Sequence, residues 1–217
     1  MTQPNTFIQE IDEDFERQKM EALWKRYGGW VITFALAIVI VTAGTVTYNS
    51  WQSGKQQKAT DELSAILNNP DTDTNKQIEI LTTFAAKNHG ETQSTFALLH
   101  AASLASANSD AKKAVALYDQ VANDNKADPA FRQLADLYSV QTQMDSSDPA
   151  VLEKRLQPLL ADNAPFRYTA MEDAGYLALK AGNKEKAKQI FTELSQNADA
   201  PPSLIARAGD MVRFLAN

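Results

Sequence analysis

The chain has 217 residues, a formal net charge of −6 and no cysteine. An acidic balance without a basic cluster argues against nucleic-acid binding, and the lack of cysteine excludes thiolate zinc sites, thiol catalysis and disulfide bonds. About 160 residues follow the most apolar segment, which is enough for one domain with a sizeable core.

Residues 1–27 form a hydrophilic N-terminal tail. Within it, Ile8, Ile11 and Phe15 recur at near-helical spacing between charged residues, which predicts an amphipathic helix from Phe7 to Trp24. Such a helix could lie on a membrane surface or against a partner helix. The alternative is a weakly helical, solvated tail.

Residues 28–51 contain no charged side chain and have Trp30 and Trp51 near their ends. About 20 apolar residues cross a bilayer core in a helix, and aromatic rings favour the depth of the headgroups. The segment therefore predicts a single transmembrane helix. A cleaved signal peptide fits less well, because 26 mostly hydrophilic residues precede Tyr27 and Gly28. A buried core helix of this length would seldom lack charge.

Basic residues are more numerous before this segment than after it. Four precede it and two follow it closely: Arg17, Lys19, Lys25 and Arg26, then Lys55 and Lys58. Loops rich in Lys and Arg stay in the cytoplasm. We therefore predict a membrane protein with one span, a cytoplasmic tail (1–27) and an external domain (52–217). In a Gram-negative bacterium this is an inner-membrane protein with a periplasmic domain.

Beyond the span, turn signals separate segments of helical periodicity, and no segment alternates in the manner of a strand. The pattern predicts an all-α domain made of four antiparallel helix pairs and a final helix, Ser203–Ala216, that caps the last pair. Pro158 is expected to kink or shorten its helix.

The helices recur with a period close to 35 residues. Phe96, Phe131 and Phe166 are 35 residues apart. At finer scale, one set of positions matches another at identical offsets: Ala102, Ala105, Ala114, Tyr118 and Val121 match Gly175, Ala178, Ala187, Phe191 and Leu194. Small residues should let the helices of a pair approach closely, and the aromatic should fill the groove between pairs. This predicts a tetratricopeptide-like helical-hairpin solenoid.

A solenoid of this kind offers an extended inner surface for a protein partner. Helices at 93–107, 130–144 and 166–181 are predicted to line it. The candidate partner-binding residues are Phe96, Leu99, Phe131, Leu134 and Tyr168. For each phenylalanine, packing in the core is the favoured role.

No catalytic residue, cofactor site or metal site is predicted, and hence no enzyme and no small-molecule substrate. His89 and His100 have no second ligand at helical spacing, so a capping His89 and a packed His100 are expected. Glu172 and Asp173 are adjacent and diverge around their helix, so they are expected on a solvated face. Phosphate-binding loops and nucleophile elbows are also missing.

The tail DEDFERQKMEALWKRYGGW (Asp12–Trp30), followed by one span and degenerate repeats, resembles the YfgM-like ancillary subunits of the bacterial SecYEG translocon. The resemblance implies a non-enzymatic, membrane-anchored adaptor that associates with the Sec translocon and a PpiD-like periplasmic chaperone. Its role would be to assist the biogenesis of secreted or envelope proteins. The alternative is an envelope scaffold that organises cell-division or wall-synthesis complexes through its repeats.

The predicted topology can be tested with reporter fusions. A reporter that is active only in the periplasm should be active when fused after Asn217, because the excess of basic residues lies before the span. Activity of a cytoplasmic reporter at the same position, with a silent periplasmic one, would reverse the predicted orientation.

Overall fold

The structure is a computed structural model that describes residues 54–68 and 73–216. The chain divides into two compact units, Met1–Gln57 and Lys58–Asn217, and nearly all described residues belong to the second. The predicted tail and transmembrane segment lie outside the described residues. Of the helices that are described, none is both long enough and apolar enough to cross a bilayer.

The described residues form nine α-helices and one short 3-10 helix, without a strand. In chain order they are α1 (54–67), α2 (Thr74–Lys87), α3 (Thr92–Ala107), α4 (Ala111–Ala122), α5 (Pro129–Gln143), α6 (Pro149–Leu156), the 3-10 helix (Gln157–Leu160), α7 (Arg167–Lys180), α8 (Lys184–Gln196) and α9 (Pro202–Ala216). The predicted all-α repeat domain, with four pairs and a final helix, is confirmed over this part of the chain.

Short polar side chains start most of these helices. Each accepts a hydrogen bond from a backbone N–H of the first turn, which satisfies a group that the helix itself leaves without a partner. The residues are Asp73, Asp110, Asp128, Asp148 and Asn183. Pro129 and Pro149 follow two of them at the first helical position, where proline costs nothing. The predicted turn signals therefore mark true helix starts.

Pro158 shortens the third pair, as predicted. Helix α6 ends at Leu156, and the chain continues in the tighter 3-10 turn that contains Pro158. Proline has no N–H to donate, so the regular α-helical ladder cannot pass through it. The second helix of this pair has only eight residues as a result.

The same type of turn joins the two helices of the second pair and the two helices of the fourth pair. Ser109 and Gly182 both adopt left-handed backbone conformations, with φ of 62° and 78°. Directly after them, the N–H groups of Asp110 and Asn183 donate to carbonyls of the preceding helix at 2.9 Å and 2.8 Å. This is the Schellman arrangement, which ends a helix at a left-handed residue. Equivalent geometry at equivalent positions supports the repeat.

Apolar side chains form three core clusters in chain order. The first joins α1 to α5, the second joins α5 to α7, and the third joins α7 to α9. Helix α5 contributes to the first two, through Ala135 and Leu137, and α7 to the last two, through Ala174 and Met171. Neighbouring units thus complete each other's core, as in a repeat protein.

The close approach of α7 and α8 depends on Gly175. A Cβ at this position would lie 2.6 Å from Cζ of Phe191. The Phe191 ring also meets Tyr176 edge-on, with centroids 5.3 Å apart. Phe191 therefore packs within its own pair, and the core cluster to which it belongs extends to α9. Its counterpart Tyr118 does reach the next pair, where the Tyr138 ring lies 5.6 Å away.

Polar contacts repeat the period of the sequence. Hydrogen bonds of 2.6 to 2.9 Å join helices of successive pairs across 32 to 36 residues. The partners are Asp119 with Arg155, Gln141 with Asp173, Glu153 with Lys186, and Glu172 with Arg207. Lys186, although its side chain is exposed, is therefore bound to the neighbouring pair. Both polar and apolar contacts link each unit to the next.

Gly175→Ala should destabilise the protein by about 1–3 kcal/mol, because the added methyl overpacks the contact with Phe191. In an ordinary helix interior the same change is stabilising. Gly209→Ala in α9 is the matched control. Its Cβ would have no neighbour nearer than 3.9 Å, so it should stabilise by about 0.5–1 kcal/mol.

Urea unfolding of the purified full-length variants, followed by circular dichroism, measures both effects. In a Phe191→Leu background the cost of Gly175→Ala should largely disappear, because the smaller side chain makes room. An equal cost in both backgrounds would contradict the contact with Phe191.

Candidate protein-docking face

Helices α3 and α5, the first helices of the second and third pairs, touch through two aromatic rings. Phe96 and Phe131 meet edge-on with centroids 4.9 Å apart. Phe96 nevertheless remains 47% exposed, and Phe131 is half-buried. The prediction that Phe96 packs in the core is therefore wrong. The pair forms an aromatic contact at the surface.

Further apolar residues continue this surface along both helices. On α5, Phe131, Leu134 and Tyr138 recur at helical spacing and share one face. Leu134 is half-buried and Tyr138 is 41% exposed. On α3, Leu99 follows Phe96 at the same spacing and packs partly against the first core cluster. We call these five residues the docking face.

Tyr168 does not extend this face. It is half-buried and packs against the third core cluster. The residue that follows Leu134 by one repeat of 35 is Thr169, so Tyr168 is one position out of register. A shift of one residue turns a side chain by about 100° around a helix. Of the five predicted residues, four share the α3–α5 surface.

The 35-residue spacing continues from Tyr138 on α5 to Asp173 on α7, and Gln141 of α5 binds Asp173. Asp173 lies 35 residues after Tyr138, and Nε2 of Gln141 donates to its Oδ2 at 2.9 Å. Both Asp173 and its neighbour Glu172 are only 6% exposed. The prediction of a solvated face for these two carboxylates is therefore wrong, because α7 is covered on several sides by its neighbours.

The two carboxylates differ in their partners. Glu172 accepts two hydrogen bonds of 2.7 Å from Nε and Nη2 of Arg207, a paired geometry that holds a charge well. Asp173 has a neutral amide as its partner. The pKa of Asp173 is raised to about 6, mainly by burial; the hydrogen bond from Gln141 lowers it in part, and the charge of Glu172 adds to the rise.

Neither His89 nor His100 belongs to a recognisable metal or catalytic site among the described residues. Nε2 of His89 lies 3.2 Å from Oδ2 of Asp124, which follows the end of α4. His100 is exposed, where the prediction had it packed. Over residues 54–68 and 73–216, no group of three or more His, Asp or Glu side chains is placed to hold a metal ion.

Sequence reasoning missed Tyr138, Gln141 and Asp173. A signal for two of them was available, because Tyr138 and Asp173 are separated by the same 35 residues as the phenylalanines. Their burial could not be read in this way. It depends on how closely neighbouring helices cover α7, and the sequence pattern does not report that distance.

Asp173→Asn should stabilise the protein at pH 7.5 by about 1–3 kcal/mol. The pKa of Asp173 is raised in the folded state, so folding favours its protonated form. The wild type therefore loses stability as pH rises from about 4 through about 6, and the advantage of Asp173→Asn should shrink to near zero as pH falls through that window.

Unfolding free energies of wild type and variant at pH 4 to 8 measure this difference. Asp199→Asn, at an exposed position, is the control and should show no such dependence. A constant difference between wild type and Asp173→Asn across the window would contradict the assignment.

Comparison with known proteins adds the family. A protein of Aggregatibacter actinomycetemcomitans named "Ancillary SecYEG translocon subunit" is 29% identical over 194 residues, covering 88% of this chain and 92% of that protein. No solved structure matches. Residues 21–205 match the tetratricopeptide repeat-like domain family. The match spans most of the chain and agrees with the paired helices and the 35-residue period. The chain belongs to the tetratricopeptide repeat-like domain family and is YfgM-like.

Proposed function

We propose that this protein is a non-enzymatic, membrane-anchored adaptor at the Sec translocon. The observation that carries the proposal is the similarity to an ancillary SecYEG translocon subunit over 88% of the chain. In this proposal, residues 1–27 lie in the cytoplasm, 28–51 span the inner membrane, and 52–217 form the periplasmic repeat domain.

The docking face supplies the means of binding a protein partner. Phe96 and Tyr138 are exposed, and Leu99, Phe131 and Leu134 lie half-buried around them. Large aromatic side chains dominate the binding energy of protein interfaces, because they bury much apolar area with few rotatable bonds. Monomeric soluble proteins rarely expose contiguous apolar patches, so a cluster of this kind is typical of an interaction site.

The membrane anchor would allow the docking face to bind its partners even with low affinity. Confinement to the plane of the membrane raises the effective concentration of partners held in the same membrane. The proposed partners are the translocon itself and a PpiD-like periplasmic chaperone. Together they would assist the biogenesis of secreted or envelope proteins.

Site-specific photocrosslinking in native membranes tests the proposal. A photoreactive phenylalanine analogue at Phe96 or Tyr138 should capture translocon subunits or the chaperone. Val151 on α6 is the matched control, since it is apolar and 62% exposed but lies on another helix, outside the docking face. The same analogue at Val151 should yield several-fold less of those products.

Two results would count against the proposal. Cell-division or wall-synthesis proteins as the main products would favour the alternative of an envelope scaffold. Equal yields of translocon subunits from Val151 would mean that the docking face is not the surface that meets the translocon.

A further inference from the structure

Asp173 carries a buried charge that no cation among the described residues balances. Two adjacent carboxylates lie in the middle of α7, and one guanidinium, that of Arg207, is bound in a paired geometry to Glu172. Asp173 receives its hydrogen bond from the neutral Gln141. A buried carboxylate without a cation costs stability, and an amide or apolar side chain would serve the core better.

Within residues 54–68 and 73–216, the groups around Asp173 do not supply the missing cation. From α5 comes Gln141, from α9 comes Arg207 already bound to Glu172, and from α7 itself come Glu172 and Tyr176. Burial raises the pKa of Tyr176, so this phenol stays neutral. Lys180, also on α7, donates to the carbonyl of Met144 and lies 3.9 Å from Asp145.

The position of this charge points to a binding role. Asp173 follows Tyr138 by one repeat, and its hydrogen-bond donor Gln141 lies one helical turn after Tyr138 on α5. The carboxylate therefore adjoins the end of the docking face, with a small part of its surface open. Groups whose ionisation is disturbed by burial concentrate at functional sites, because the cost in stability is retained where binding needs it.

We propose that Asp173 binds a lysine or arginine side chain of the protein segment that docks on Phe96, Phe131 and Tyr138. Lysine and arginine carry their charge on a long apolar stem, which can reach into a narrow site while the rest of the segment stays on the surface. The segment would thus combine an aromatic or aliphatic anchor with a basic residue. This inference rests on the proposed function and specifies its partner.

The proposal makes docking dependent on pH. The cation binds the ionised form of Asp173, and the pKa of this group is about 6 without a partner. Affinity should therefore be full at pH 7.5 and fall as pH drops below about 6, since the bound cation must then compete with a proton. Glu172 stays with Arg207 and takes no part in the exchange.

A selection from a random 12-residue peptide display library provides the probe. The library is panned at pH 7.5 on the full-length protein in nanodiscs, in parallel with Asp173→Asn, Phe96→Ser and the exposed-site control Asp199→Asn. Peptides enriched on the wild type should share an apolar anchor and a basic residue at a fixed distance from it. The preference for the basic residue should vanish on Asp173→Asn and persist on Asp199→Asn.

Titration calorimetry then measures the affinity of an enriched peptide for each variant. An enriched peptide without histidine should bind at least about tenfold more weakly to Asp173→Asn, as expected for a lost hydrogen bond between charged groups. Replacing its basic residue by Gln should have the same effect on the wild type. The affinity of the wild type should also fall from pH 7.5 to pH 5.0, and that of Asp173→Asn should not. Because Asp173→Asn is expected to be the more stable protein, unfolding cannot account for the loss.

The outcomes separate this inference from the proposed function. Binding that is lost in Phe96→Ser but unchanged in Asp173→Asn overturns the cation site and leaves the docking face in place. Binding that is unaffected by either variant overturns both. Failure to enrich any peptide on the wild type also overturns the inference, as does enrichment without a basic residue.

Discussion

No described helix pair buries its apolar surface alone, and the way the helices pack on one another follows from that constraint. The first two core clusters draw on helices of at least two pairs, the third joins the last pair to α9, and α5 and α7 each serve two clusters. Such sharing requires short distances between helices, which is why alanine and glycine occupy the crossing points. Gly175 beneath Phe191 is the extreme case. A docking face can exist on α3 and α5 because the other sides of these helices are held by their neighbours.

Features with local causes were predictable from the sequence. Helix starts and ends could be read directly, because the residues that set them act on the adjacent backbone. These residues are Asp128 before Pro129, Gly182 before Asn183, and Pro158 inside a helical pattern. The 35-residue spacing also placed four of five candidate residues on one surface. Features that depend on how far apart helices settle could not be read. The burial of Asp173, the direction of the Phe191 ring and the exposure of His100 belong to this group.

The docking face and the buried carboxylate show different relations between stability and binding. Phe96 and Tyr138 cost the fold little, since each also packs against another ring. Asp173 costs more, because its charge is buried beside that of Glu172 without a second cation. The two together favour a partner that is apolar and basic, and they disfavour an acidic one, which Asp173 would repel.

Arg207 gives the last helix an importance that its few buried residues do not suggest. It is contributed by α9, yet it neutralises Glu172 in the middle of α7, 35 residues earlier. A chain that stops before Arg207, after incomplete synthesis or cleavage, retains eight of the nine described helices but contains two adjacent buried carboxylates without a cation. Damage at the C-terminus is thereby transmitted to the interior of the domain. A truncated chain is therefore expected to open more readily and to be more exposed to proteolysis than the intact one.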